Sequence, residues 1–134
     1  MNTARELKVL LVDDSDDDRF LFAAAFRKTG IAGKIIEKED GDQVIEFLSQ
    51  ITTAATTDWP DGVFLDLKMP TRNGFEVLQW VQERPALKPL KIFVLSGSYE
   101  PSDIKRAHEL GAAEYIVKPI KPEQIKQLLS PHNS

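Results

Sequence analysis

Leu7-Lys8-Val9-Leu10-Leu11-Val12-Asp13-Asp14-Ser15 is the stretch on which the fold turns. Six residues of almost unbroken aliphatic character suit a central strand covered on both faces, and the two acids that follow end it abruptly. Ser15, with Asp18 three residues on, can cap a helix in the manner of a capping box. Four more apolar runs repeat the pattern: Lys34–Glu37, Val63–Leu67, Lys91–Leu95 and Glu114–Val117. Between them lie helical stripes at Phe20, Ala23, Ala24 and Phe26; Val44, Ile45, Leu48 and Ile51; Phe75, Leu78 and Val81; and Ile104, Ala107 and Leu110. A last stripe follows at Ile125, Leu128 and Leu129. Strand and helix alternate five times, which predicts an α/β fold: a parallel sheet with helices on both faces.

The punctuation agrees. Gly30, Gly33 and Gly111 fall just past helical stripes, where a left-handed residue ends a helix. Pro85 and Pro89 break the chain before the fourth strand, and Pro101 suits the first turn of the fourth helix. Thr52–Asp61, rich in Thr and Ala, reads as a long surface loop, and Ser130–Ser134 as a frayed tail. With 134 residues and no internal repeat, one domain is expected over 1–134, its core at about 6–130, with no second domain.

Composition narrows the function. The absence of Cys excludes disulfides, thiolate metal sites and a cysteine nucleophile. The 17 basic against 21 acidic side chains argue against nucleic acid as a partner. The longest apolar run, Phe20–Phe26, is far short of the ~20 residues of a membrane span, and no charged-then-apolar leader opens the chain. A cytoplasmic protein is therefore the expectation. Five of the eleven Asp lie between positions 13 and 18, and without them the charge would balance at 17 against 16.

Ligands of open parallel sheets bind beyond the carboxyl ends of the strands. Asp13 and Asp14 follow the first strand, Asp66 the third, Ser96-Gly97 the fourth and Lys118-Pro119 the fifth. Three carboxylates held close repel one another, and a hard divalent cation is the natural remedy; Mg²⁺ favours a few carboxylates, waters and phosphate oxygens. A carboxylate beside Mg²⁺, a hydroxyl and an ammonium makes a phosphoryl acceptor, since metal and Lys neutralise charge on the transferring group.

The motifs Leu10-Leu11-Val12-Asp13-Asp14-Ser15, Phe64-Leu65-Asp66-Leu67-Lys68-Met69-Pro70, Asn73-Gly74, Val94-Leu95-Ser96-Gly97, Gly111-Ala112 and Tyr115-Ile116-Val117-Lys118-Pro119 resemble the receiver domain of two-component response regulators, of the chemotaxis-regulator type. Type, order and spacing agree together, with 30 residues from Asp66 to Ser96 and 52 from Asp66 to Lys118. The resemblance implies a flavodoxin-like, doubly wound five-stranded sheet of order 2-1-3-4-5 with five helices. It implies that Asp66 takes a phosphoryl group from the phosphohistidine of a sensor histidine kinase or phosphotransfer protein. Asp14, Asp66 and the backbone carbonyl of Lys68 would hold Mg²⁺, with Asp13 acting through water. Ser96 would hydrogen-bond the phosphoryl group and Lys118 pair with it. Tyr115 would change rotamer as Ser96 moves, and Lys118-Pro119 would be cis. The switch would alter the face of the fourth helix, fifth strand and fifth helix, for an unnamed downstream protein or for a second copy of the chain. Ser96 stands where Thr is also common, and Ile120 where an aromatic is frequent. The Thr/Ala loop is similar to that of regulators paired with bacterial phytochromes.

Other readings are poorer. Asp14-x-Asp16-x-Asp18 lacks the Gly and closing Glu of a calcium loop. An aspartate phosphohydrolase needs an acid two residues after its nucleophile, where Asp66 is followed by Lys68; Asp14-x-Asp16 has the acid, but Asp18 stands where Thr or Val is expected, and no cap domain is present. A flavin carrier would need a hydroxyl-rich phosphate loop where five carboxylates stand. A non-phosphorylated adaptor would have no use for the intact acidic set. Asp16, Asp17 and Asp18 read as favourable charge at a helix start plus a solvated face. His108 reads as a surface residue, and Trp59 and Trp80 as packing or interface residues.

Overall fold

A computed structural model describes residues 6–53 and 59–129. The strands are β1 (Leu7–Val12), β2 (Gly33–Lys38), β3 (Gly62–Leu65), β4 (Ile92–Ser96) and β5 (Glu114–Val117). They pair in parallel in the order β2-β1-β3-β4-β5, the arrangement expected. The helices are α1 (Asp16–Lys28), α2 (Gly41–Thr53), α3 (Gly74–Gln82), α4 (Pro101–Glu109) and α5 (Pro122–Leu129). A 3-10 turn, Pro85–Leu87, occupies the stretch in which Pro85 and Pro89 were expected to break the chain.

The continuous apolar runs make sense because the central strands are buried on both faces. Alternate residues of β1 divide between two cores: Leu10 and Val12 meet Val44, Leu48, Val77 and Leu78 on the α2–α3–α4 side. Val9 and Leu11 meet Phe22, Phe26 and Ile125 on the α1–α5 side. Phe22, Phe64 and Phe93 form a tilted stack there, with ring centroids 4.9 and 5.1 Å apart.

Several expectations are corrected. The α1 stripe is right at Phe26 and wrong at its start: Phe20 is 67% exposed, whereas Arg19, Phe22 and Ala25 face the sheet with Phe26. The run Phe20–Phe26 is apolar throughout, so hydrophobicity cannot set the helix rotation; the buried Arg19 sets it by pairing with Glu37 on β2 at 2.9 Å. Gly33 ends no helix. It starts β2 opposite Leu7, where an added Cβ would lie 2.8 Å from the Leu7 carbonyl oxygen. Gly30 and Gly111 do have positive φ, at 76° and 99°. β3 ends at Leu65 rather than Leu67, and β4 runs on through Ser96. The loop expected from Thr52 begins later, since α2 continues to Thr53; residues 54–58 and the tail Ser130–Ser134 lie outside the described residues. Ser15 caps α1 through Asp18 N at 3.2 Å, but the reciprocal half of the box is absent; the Ser15 N–H donates to Asp13 Oδ1 instead. A complete capping box stands at α3, between Asn73 and Glu76.

Candidate functional site

The acidic residues gather where the strands end, and the sheet's own hydrogen bonding sets them there. The Asp13 N–H donates to Lys38 O at 3.0 Å, Asp66 N–H to Val12 O at 2.9 Å, and Lys118 N–H to Ser96 O at 2.8 Å. Each side chain thus projects from a backbone still tied to a neighbouring strand, the rigid mounting that a precise site requires. Gly74 completes the support. Its N–H donates to Leu67 O at 2.9 Å, and a Cβ there would collide with the Asp66 carbonyl oxygen and stand 2.8 Å from Leu67 Cα. The Asn73-Gly74 motif therefore lets α3 start directly against the Asp66 loop.

Asp13, Asp14 and Asp66 each offer a carboxylate oxygen within 4.8 Å of the others. Asp13 and Asp66 are buried, and Asp14 is exposed. Hard oxygen donors of this number and spacing, open to water on the Asp14 side, could hold a metal ion. The Lys68 N–H donates to Asp66 Oδ1 at 3.4 Å, while the Lys68 side chain is exposed.

Lys118 is the cation of the cluster. Its Nζ lies 2.8 Å from Asp13 Oδ2, 2.7 Å from Asp18 Oδ2 and 3.4 Å from Asp66 Oδ2. Burial alone would pull the ammonium down; hydrogen bonds to Asp13 and Asp18 and the charge of Asp66 outweigh it and hold Lys118 above the usual lysine range. Burial pushes the Asp66 carboxyl up, to about 6 from 3.8; Lys118 and the Lys68 N–H oppose that, and the Asp13 charge adds to it. The peptide bond Lys118-Pro119 is cis.

Beside Asp66 opens a cavity of about 490 Å³ lined also by Asp18, Lys68, Ser96, Gly97, Ser98, Tyr99, Glu100 and Lys118. Buried Ser96 accepts from Ser98 N at 3.1 Å through its Oγ. Ser98 in turn donates to Asp103 on α4 at 2.7 Å, and the Tyr115 hydroxyl donates to Ser98 O at 2.7 Å. A chain of contacts thus runs from the cavity through the β4–α4 connection to α4 and β5.

The structure therefore brings Asp13, Asp14, Asp66, Ser96 and Lys118 to one rim and places Tyr115 one residue group away. Two participants were missed in the sequence. Asp18 was assigned to helix charge and solvent, yet it is the shortest contact of Lys118. Arg19 is buried, donates to Asp13 O at 2.6 Å, and pairs with Glu37 and Asp16. The signal for both was the charge excess itself: five acids within six residues, with few cations to answer them.

A five-stranded parallel sheet of this order with an acidic rim at its carboxyl end is the layout expected of a receiver domain, and sequence comparison shows that family. The response regulator receiver domain profile matches residues 9–130, and the chain belongs to that family. It is 32% identical over 131 residues to the two-component response regulator ORR1 of Oryza sativa, covering 95% of this chain and 56% of that protein. The phosphorylated cyanobacterial phytochrome response regulator RcpA superposes with TM-score 0.77 at 30% identity, over 93% of this chain and 89% of that one. The Mn²⁺-bound form of response regulator Rcp1 does so with TM-score 0.75 at 28% identity, over 92% and 88%. Among the described residues no helix is long and apolar enough to cross a membrane.

Proposed function

We propose that Asp66 is the phosphoryl acceptor of a two-component switch, and that its donor is the phosphohistidine of a sensor histidine kinase or phosphotransfer protein. The observation that carries this is a buried carboxylate facing an open cavity between a serine hydroxyl and a lysine ammonium, with two more carboxylates within 4.8 Å. With its value at about 6, Asp66 is roughly nine-tenths ionised at pH 7 and available as a nucleophile. One of its oxygens forms the new bond to phosphorus, the phosphorus–nitrogen bond of the donor breaks, and the departing imidazole takes up a proton. Lys118 and the Ser96 hydroxyl neutralise and hydrogen-bond the oxygens of the group received. Asp13, Asp14, Asp66 and the Lys68 carbonyl would hold Mg²⁺, whose charge offsets that of the phosphoryl oxygens. The Mn²⁺-bound form of Rcp1 and the phosphorylated form of RcpA are relatives in which a metal and a phosphoryl group are named.

The readout would pass through Ser96, Ser98 and Tyr115 to the face of α4, β5 and α5. β5 is an edge strand, with Val117 38% exposed, so this face is free to take a downstream protein or a second copy of the chain. Phosphohydrolase chemistry fits less well. Lys68 stands where the proton-transferring acid would be, and Asp16 is engaged with Arg19. Incubation with acetyl phosphate and Mg²⁺ is expected to add one phosphoryl group by intact mass, and EDTA or Asp66→Ala to prevent it. Full labelling of the Ala variant would refute the assignment.

A further inference from the structure

Lys118 is nearer to two other acids than to the acceptor: 2.7 Å to Asp18 and 2.8 Å to Asp13, against 3.4 Å to Asp66. The two close partners differ. The Asp13 side chain is 3% exposed, and its second oxygen accepts from Ser15 N at 2.9 Å, so its own turn fixes it. The Asp18 side chain is 35% exposed on the first turn of α1, and its position is set by its N–H donating to Ser15 Oγ at 3.2 Å.

From this geometry, and resting on the phosphoryl-acceptor reading above, we infer that Asp18 is a positioning residue that holds Lys118 back from the acceptor and competes with phosphoryl oxygens for its ammonium. An ammonium has three donors, and here three carboxylates surround it. A phosphoryl group on Asp66 adds acceptors and negative charge on the side where Lys118 has its longest contact. To meet them, Lys118 gives up one partner. Asp13 is buried and fixed by its own turn, so releasing it would leave a carboxylate that water cannot reach, answered only by the Mg²⁺ proposed above. Releasing Asp18 costs less, because water can reach its carboxylate. The contact with Asp18 is therefore part of the unmodified state and is lost in the phosphorylated one, and its strength subtracts from the stability of the latter. Asp18 touches no reacting atom. It acts through Lys118.

The test uses the full chain with beryllium fluoride, a phosphoryl-like probe, at saturating Mg²⁺, with affinity read by ¹⁹F NMR. Asp18→Asn keeps the shape and removes the charge. It is expected to bind the probe about fivefold more tightly, as suits a partly exposed charge-assisted hydrogen bond. Asp18→Glu is expected to stay within about twofold of the parent, and so is Asp17→Asn, which removes the same charge from the same turn. Unfolding of Asp18→Asn, Lys118→Gln and the double variant in EDTA is expected to be non-additive, by about three- to tenfold in the unfolding constant. Equal probe affinity in parent and Asp18→Asn overturns the inference, as does Asp17→Asn matching Asp18→Asn, or an additive cycle. A parent that binds no beryllium fluoride while the cycle is non-additive overturns the phosphoryl-acceptor reading and the competition built on it, leaving only the ion pair.

Discussion

Asp66→Asn removes one charge from a site where three carboxylates face Lys118, and the variant is expected to be more stable than the parent at neutral pH when divalent cations are absent. The magnitude comes from the carboxyl itself. Its ordinary value is 3.8 and burial holds it at about 6. At about 1.4 kcal/mol per tenfold change in proton affinity, ionising it in the fold costs about 3 kcal/mol more than in the unfolded chain. Asp66 is 7% exposed but faces the open cavity, so solvent screens part of that figure. An amide mimics the protonated acid imperfectly, which puts the expected gain at about 1–3 kcal/mol. The direction with pH follows from which state holds the proton longer. The folded state does, so the favourable contribution is complete below 3.8 and disappears as pH rises through about 6. Urea unfolding of both proteins in EDTA should therefore give curves that coincide near pH 4 and separate above pH 6, with the Asn variant the more stable. Mg²⁺ at a hundredfold excess over its dissociation constant should add about 2.7 kcal/mol to the parent, and less to the variant that has lost a ligand. A variant equal to or less stable than its parent at pH 7.5 in EDTA, or a gap that does not close at pH 4, would refute the reasoning.

Other outcomes follow from the packing. Phe22→Ala should cost about 3–5 kcal/mol in denaturant unfolding and Phe20→Ser less than about 0.5, because only Phe22 is buried in the aromatic stack; similar costs would mean that the α1 rotation is wrong. Arg19→Met removes the buried donor to Asp13 O and should both destabilise the chain by about 2–4 kcal/mol and weaken Mg²⁺ binding by calorimetry; an unchanged metal affinity would separate Arg19 from the site. Gly74→Ala should lower the phosphorylation rate as well as stability, since the new methyl displaces the Asp66 loop; a variant labelled at the parent rate would show that the loop absorbs the methyl elsewhere. Tyr115→Phe should leave labelling of Asp66 intact while altering amide shifts around Ser98, where its hydroxyl donates.

The layout was legible because β1, β3 and β4 are apolar runs that admit few alternatives, and because each ends in a residue that no buried strand would carry onward. Asp13, Asp66 and Ser96 are legible for the same reason: a polar residue at the end of a buried strand has little reason to be there except chemistry. What escaped was set by pairing at a distance. The phase of α1 depends on a buried arginine meeting Glu37 across the sheet, and an apolar run from Phe20 to Phe26 holds no information about rotation. The bond from Asp18 to Lys118 joins residues 100 apart in the chain, and within its own segment Asp18 is indistinguishable from Asp17. Gly33 was misread because a glycine after a helix and a glycine entering a crowded strand look alike until the neighbouring strand is in place.

The central claim, that Asp66 and no other carboxylate of the cluster receives the phosphoryl group, is tested most directly by locating it. Acetyl phosphate with Mg²⁺, followed by borohydride reduction of the acyl phosphate, converts the modified aspartate to homoserine, which peptide mass spectrometry can place. Homoserine at position 66 alone is the predicted result. Homoserine at 13, 14 or 18, or at several positions in comparable yield, would contradict it.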